Sequence, residues 1–266
     1  MTVSIAEVGR HGRLDVAFAV RNGRTEIRHS YCEVPFKITR LHEADATGFA
    51  HLILMQCTAG LFGGDAIESE IHLDAGARVV LTQQSATKIH PSGDRSATQR
   101  TRIHVESGAE LIVDFEPVIP FAGSRLHQSM RVELEPGASL VYWDGMMAGR
   151  LGKDERWQFS ELSMELRIER EGRPLFLERY FLVPSQQNPE SGWVMNTAGY
   201  LGTGICFKEG AAQLAGDLHD AMPGAGVDVL GPDVLAARVA VESGPEFHRL
   251  RETFRRLSAN FVLPTG

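Results

Sequence analysis

Side chains able to do chemistry gather in a few stretches of the 266-residue chain. The run Cys57-Thr58-Ala59-Gly60-Leu61-Phe62-Gly63-Gly64-Asp65 places three glycines within five positions and ends on a carboxylate. Glycine permits positive φ and close backbone approach, so this reads as a tight turn that delivers Asp65 to the head of a strand. A phosphate cradle would lead into a helix N-terminus and close on Lys-Ser or Lys-Thr. Here Ile67-Glu68-Ser69-Glu70-Ile71-His72-Leu73 alternates with a period of two instead. Downstream, Ser85-Ala86-Thr87-Lys88-Ile89-His90-Pro91-Ser92-Gly93 is polar, leaves a strand and ends in a turn, which makes Ser85, Thr87 and Lys88 a candidate functional loop. Asp114 and Glu116 stand beside apolar residues and two prolines, a setting that raises a carboxyl pKa for acid-base work if it is more than a strand-end corner. Tyr142-Trp143-Asp144, followed by Gly145, Gly149-Arg150 and Gly152, puts Asp144 and Arg150 where they either pair at the surface or line a channel.

An internal repeat with a period near 30 residues positions these stretches. Ile71-His72-Leu73-Asp74-Ala75-Gly76-Ala77-Arg78-Val79-Val80-Leu81 is echoed from Ile103 to Val113 and again from Val132 to Tyr142, with a looser fourth copy from Leu166 to Phe176. Each copy reads as strand, acidic turn, strand. Such a hairpin cannot bury its apolar face alone, so the copies are expected to stack as β-helix-like or sandwich layers around a continuous core. His72 and His104 occupy equivalent places in two copies; stacking brings them to one face, either as a pair that a borderline metal accepts or as solvent-facing strand positions.

The remaining elements follow from local signals. Leu14 to Val20 and Thr25 to Arg28 flank Asn22-Gly23, a hairpin signal, and Pro35–Ile38 and Ala50–Met55 read as strands, the second apolar enough for burial on both faces. Pro184–Gly204 reads as a long connection and Ala211–Met222 as a short helix before Pro223-Gly224. Ser243-Gly244-Pro245-Glu246 has the spacing of a capping box, and Phe247, Leu250, Phe254, Leu257 and Phe261 form the apolar stripe of an amphipathic C-terminal helix. Arg249, Arg251, Arg255 and Arg256 are assigned to its opposite face, solvated or facing an acidic partner. The whole is read as one mainly β domain spanning 1–266.

Composition narrows function. A net charge of -7 and a pI near 5.8 exclude a general nucleic-acid surface. Lys occurs only at 37, 88, 153 and 208, so the positive charge is carried by Arg. Three cysteines far apart, Cys32, Cys57 and Cys206, indicate neither a disulfide framework nor a paired-cysteine zinc site. No charged start with an apolar run opens the chain and no long apolar stretch interrupts it, so a cytoplasmic protein without membrane attachment is expected. His-Glu-x-x-His, Cys-x-x-Cys, Gly-x-Ser-x-Gly and a dinucleotide fingerprint are all missing, and no active site is evident.

Taken together and in order, Thr58–Asp65, Gly76-Ala77, Leu81–Ile89, Glu116–Phe121, Gly149-Arg150 and Glu178-Arg179 resemble the UreD (UreH) family of urease accessory proteins, from Gly12 to the C-terminal helix. The resemblance implies a largely β, β-helix-like fold with a few helices, and a maturation chaperone rather than an enzyme. It implies binding to apo-urease and to UreF-like and UreG-like partners, and transient nickel as cargo with no permanently bound cofactor. Asp65, Ser85, Thr87, Lys88, Asp144 and Arg150 match residues that line or support the family's internal metal route. Cys57 and Ala59 stand where the family has Pro and Gly, Gln83 replaces a Thr, and His90-Pro91 replaces an aromatic-Arg pair. Cys57 and His90, as softer ligands, are candidates for transient nickel contact, or simply tolerated variation. The alternative, a metal-dependent enzyme on a layered β scaffold, requires His72, His104 and a carboxylate to converge on one point.

Overall fold

A computed structural model describes residues 9–44, 48–91, 93–192 and 195–259. Asn22 and Gly23 take φ of 52° and 76° and turn β1 (His11–Arg21) back onto β2 (Arg24–Cys32), as the Asn-Gly pair predicts. β3 (Phe36–Ile38) and β4 (His42–Ala44) both pair antiparallel with β5 (Phe49–Gln56). Leu52 and Leu54 of β5 are buried between the sheets; on its other face Phe49 is buried in the cluster under α2 but His51, Ile53 and Met55 are only half-buried, so the expected burial on both faces is partial.

The repeats then build the body. β6 (Ala66–Leu73) is followed by β7 (Arg78–Gln83) and the short β8 (Thr87–Ile89); β9 (Ala97–Val105) by β10 (Glu110–Asp114) and the short β11 (Val118–Pro120); β12 (Arg125–Leu134) by β13 (Ser139–Met147). Layering is as expected, but the unit is an arch and not a hairpin. β6, β9 and β12 stack in parallel in one sheet, while β7, β10 and β13 stack in parallel in the other. The corner between the two explains why. Gly76, Gly108 and Gly137 take φ of 73°, 70° and 80°, and the N–H of the following Ala bonds back to the acidic residue's carbonyl at 3.0 Å in all three. A side chain at Gly108 would meet nothing within 4 Å, so glycine is there for its conformation and not for space. Four residues turn the chain sideways into the opposite sheet.

After β14 (Gly149–Arg150) and β15 (Glu155–Arg156), which pair with each other, the fourth copy differs. Glu171 and Gly172 (φ 49° and 73°) make a two-residue turn, and β16 (Glu161–Arg170) and β17 (Arg173–Leu182) pair antiparallel as a true hairpin. β18 (Tyr200–Phe207) joins the second sheet beside β13; the expected connection from Pro184 therefore ends in a strand. A 3-10 turn and α1 (Ala215–Ala221) fill the predicted short helix, and β19 (Gly226–Gly231) and β20 (Val234–Val241) complete that sheet before α2 (Gly244–Ala259). Among the described residues the first sheet runs β17-β16-β12-β9-β6-β1-β2 and the second β19-β20-β18-β13-β10-β7-β5-β3.

Two apolar layers result. Between the sheets, Leu73, Val105 and Leu134 face Leu81, Val113 and Tyr142, all essentially inaccessible. On the far side of the second sheet, Val80, Ile112, Val141 and Trp143 are covered by Phe247, Leu250 and Phe254 of α2. The helix starts where predicted, with the Glu246 N–H donating to Ser243 Oγ at 3.4 Å; Phe261 lies outside the described residues.

The arginine face is corrected. Arg251 and Arg255 follow the stripe residues Leu250 and Phe254 by one position, so they flank the buried stripe and turn inward. Arg251 Nε donates to Asp114 Oδ1 at 2.5 Å and its Nη1 to Glu116 Oε1 at 2.6 Å, while Arg255 Nη1 donates to Asp114 Oδ2 at 2.5 Å. Burial works against the Arg251 charge, yet Asp114 and Glu116 outweigh it and hold its pKa above the usual arginine value. Asp114 and Glu116 therefore fasten α2 to the sheet and have partners that the sequence reading did not identify. Among the described residues no helix is long and apolar enough to cross a membrane. Asp114→Ala removes the carboxylate that holds Arg255 and leaves Arg251 with Glu116, and is expected to cost about 3–5 kcal/mol. Urea unfolding with an unchanged slope and a lower midpoint checks this; an unchanged midpoint contradicts it.

Candidate functional site

The stretches singled out in the sequence meet at one end of the sandwich. The glycine loop docks by backbone on the 85–90 run: Leu61 N–H donates to Lys88 O at 2.8 Å and His90 N–H to Leu61 O at 2.7 Å. Gly60 (φ 136°) makes this approach possible, since a Cβ there would sit 2.3 Å from Lys88 O. Asp65 is buried and locks the loop, its two carboxylate oxygens accepting the Arg10 and Phe62 N–H groups at 2.9 Å each. β8 in turn pairs in parallel with β11, which brings up the Glu116–Phe121 stretch. His90 stacks on Phe62 (centroids 4.4 Å apart), meets Phe121 edge-on at 4.7 Å, and its Nε2 lies 2.9 Å from Ala59 O. The Arg150 guanidinium covers the other side of Phe121 at 4.2 Å.

Arg150 does not pair with Asp144. The short β14–β15 ladder sets Arg150 opposite Glu155, and Glu155 holds it through Nε at 2.7 Å and through Nη2. The Lys88 side chain is exposed, as is Cys57; all three cysteines are free.

Behind this end, polar side chains occupy inward positions between the sheets. Ser69, Gln99 and Thr101 from the first sheet and Gln83 and Thr87 from the second, with the exposed Ser85 of the connecting loop at its edge, line a cavity of about 20 Å³, which holds roughly one water-sized guest. The side-chain oxygens of Gln83, Gln99 and Gln128 are buried with no hydrogen-bond partner among the described residues. Further along the second sheet Asp144 is in register with Thr203, and Thr203 with the exposed Arg238. Asp144 accepts a short hydrogen bond from the Tyr142 hydroxyl. Burial drives its carboxyl from the usual 3.8 up to about 7, with the Tyr142 hydroxyl pulling down and the Glu178 charge pushing up. Glu178 crosses from the first sheet, accepting Thr203 Oγ1–H at 2.7 Å and Arg238 Nε–H at 2.7 Å.

Thr87 is buried and lines the cavity in register with Val118 and Met146, Ser85 sits exposed at the cavity's edge, and Asp144 lies in a separate row with Thr203, while Asp65, Lys88, His90 and Arg150 build the adjoining end. The sequence does not single out Ser69, Gln99, Thr101, Gln128 and Thr203, and gives Glu178 only as part of the Glu178-Arg179 motif, with no site role. The available signal was phase: in Ile67, Ser69, Ile71, Leu73 and in Ala97, Gln99, Thr101, Ile103, Val105, polar residues fall on the apolar beat.

His72 and His104 do converge, on the opposite, outer face of the first sheet, where they are direct neighbours in the ladder with ring centroids 4.9 Å apart. With Glu106 they are the only three potential ligands that gather among the described residues; Cys57 and His90 take no part.

Stacked arches with a polar row between two sheets define a layered β protein whose family can be tested by comparison. The family model described as UreD urease accessory protein matches residues 10–263. A urease accessory protein UreD from Acetivibrio thermocellus is 35% identical over 182 residues, 68% of this chain and 70% of that one. Counterparts in Streptomyces griseus and Deinococcus radiodurans are 33% and 30% identical, covering 85% and 95% of this chain and 80% and 93% of theirs. The chain belongs to the UreD family of urease accessory proteins, a family of maturation factors and not of enzymes.

A carboxyl whose folded pKa is raised keeps its proton while the unfolded chain loses it, so wild-type stability falls as pH rises from about 4 to about 7 and is level above. Asp144→Asn removes that loss. Its stability advantage over wild type is expected to grow between pH 5 and pH 8, reaching at most about 4 kcal/mol. Paired urea titrations at the two pH values check this, and an equal difference at both contradicts it.

Proposed function

We propose that this chain is a cytoplasmic urease maturation chaperone that binds apo-urease with UreF-like and UreG-like accessory proteins and helps nickel reach the urease active site. Family membership supports the role in urease maturation. The observation that carries the nickel step is the set of inward oxygen donors, three of them buried without a protein hydrogen-bond partner among the described residues. An unpaired buried acceptor costs about 1–3 kcal/mol, so a packed interior with no further task would replace these glutamines with apolar residues. The buried Thr87 hydroxyl and neutral amide oxygens, with the Ser85 hydroxyl at the exposed edge of the cavity, hold a divalent cation weakly, which suits an ion that must move on. Asp144, titrating about 7, releases its proton as a cation arrives and regains it as the cation leaves.

In this reading Asp65, Lys88 and Arg150 support the route: Asp65 fixes the glycine loop, the Lys88 backbone receives it, and Arg150 braces Phe121. Thr87→Val and Asp144→Asn keep side-chain shape while removing donors. Co-expressed with urease, each is expected to pull down apo-urease as wild type does while urease nickel content drops by roughly tenfold, the loss typical of removing a group that supports a metal ligand. Full nickel loading with both variants combined contradicts the route. Loss of the pull-down instead would assign the row to the docking surface.

A further inference from the structure

We propose that the outer face of the first sheet carries a site for a borderline divalent cation, held by His72, His104 and Glu106. The site goes beyond the inward route, because His72 on β6 and His104 on β9 project on the side away from the core, with Glu106 in the corner that follows β9. One donor atom of each lies within 4.8 Å of the others. A cation bound at about 2.0–2.2 Å from each donor needs them roughly 3.0–3.5 Å apart. Both histidines are about a third exposed, so small side-chain rotations suffice to close that gap.

The setting is built by the repeat. His72 Nε2 lies 2.8 Å from Glu106 Oε1, in the next layer's corner, and 3.4 Å from Asp74 Oδ1 in its own. His104 Nε2 lies 3.3 Å from Glu135 Oε1, one layer further on, and its Nδ1 lies 3.8 Å from Glu133. Glu106 Oε2 is fixed by the Ala75 N–H at 2.9 Å, so this carboxylate is oriented before any ion arrives. Arg102 and Arg131, which line the same concavity, are engaged by Glu70 and Glu169 and leave the local charge negative. Two imidazoles and one carboxylate, with open positions for water, make a donor set that Ni²⁺, Cu²⁺ and Zn²⁺ accept and Mg²⁺ and Ca²⁺ do not favour.

The experiment uses the full chain with its affinity tag removed and no urease present, titrated with Ni²⁺ by calorimetry and with Cu²⁺ by electron paramagnetic resonance. One equivalent per chain is expected, with superhyperfine lines from two nitrogens. Glu106→Gln should weaken it at least about tenfold, and His72→Ala/His104→Ala should abolish it. All three positions are solvent-facing, and circular dichroism should show both variants folded. No Ni²⁺ uptake by wild type, or uptake unchanged in the double variant, overturns the site. Urease nickel content in co-expression reports separately on the inward route, so failure of one proposal is distinguishable from failure of the other.

Discussion

The molecule depends on how its chain crosses from one sheet to the other. At each of the first three corners an acidic residue, a variable residue, a glycine in the left-handed region and a buried alanine turn the backbone within four positions. The carboxylates then tie one layer to the next: Glu106 accepts the Ala75 N–H at 2.9 Å and Glu135 accepts the Ser107 N–H at 3.0 Å. With corners in register, every strand of a layer is in register with the strand above it, and a residue's place in the repeat decides whether it faces core, helix or solvent. When the corner shortens to Glu171-Gly172 the chain folds back on itself as a hairpin, and the parallel stack ends.

Register of this kind produces rows, and rows decide where the polar side chains gather. One residue type repeated on the inward beat, Ser69 beside Thr101 or Gln99 beside Gln128, becomes a line of oxygen atoms inside an otherwise apolar core. The same rule on the outward beat places His72 against His104 and opposite charges in pairs such as Arg102 with Glu70. Helix α2 needs a different fastening, because it covers the second sheet from outside the stack. Asp114 at the end of β10 provides it by engaging two arginines one helical turn apart.

Much of this was legible in the residues. The Asn22-Gly23 turn, the period near 30, the convergence of His72 with His104 and the start of α2 follow from local rules that tertiary structure left intact. Other features needed contacts between distant parts of the chain. Nothing within a copy says whether its two strands pair with each other or separate, since both outcomes give the same alternation; the corner length decides it. The helical stripe puts Arg251 and Arg255 on the opposite face, solvated or docked on an acidic partner, yet their positions next to Leu250 and Phe254 let Asp114 of the same chain, 137 residues from Arg251, draw them in. Arg150 was set near Asp144 by proximity in sequence, but the intervening β14–β15 ladder gives it to Glu155. Thr203 sits beside Asp144 because β18 pairs with β13, and Glu178 reaches both from β17 in the facing sheet, contacts with no local signature.

The central claim is that the oxygen row between the sheets carries nickel on its way to urease. Anomalous diffraction at the nickel edge, from crystals of the chain in complex with apo-urease soaked in Ni²⁺, tests it most directly. The account predicts anomalous density between the sheets beside Asp144 and Glu178, with a nitrogen- and sulfur-free ligand shell. Nickel found only outside the sandwich, with that row void of signal at saturating Ni²⁺, would contradict it.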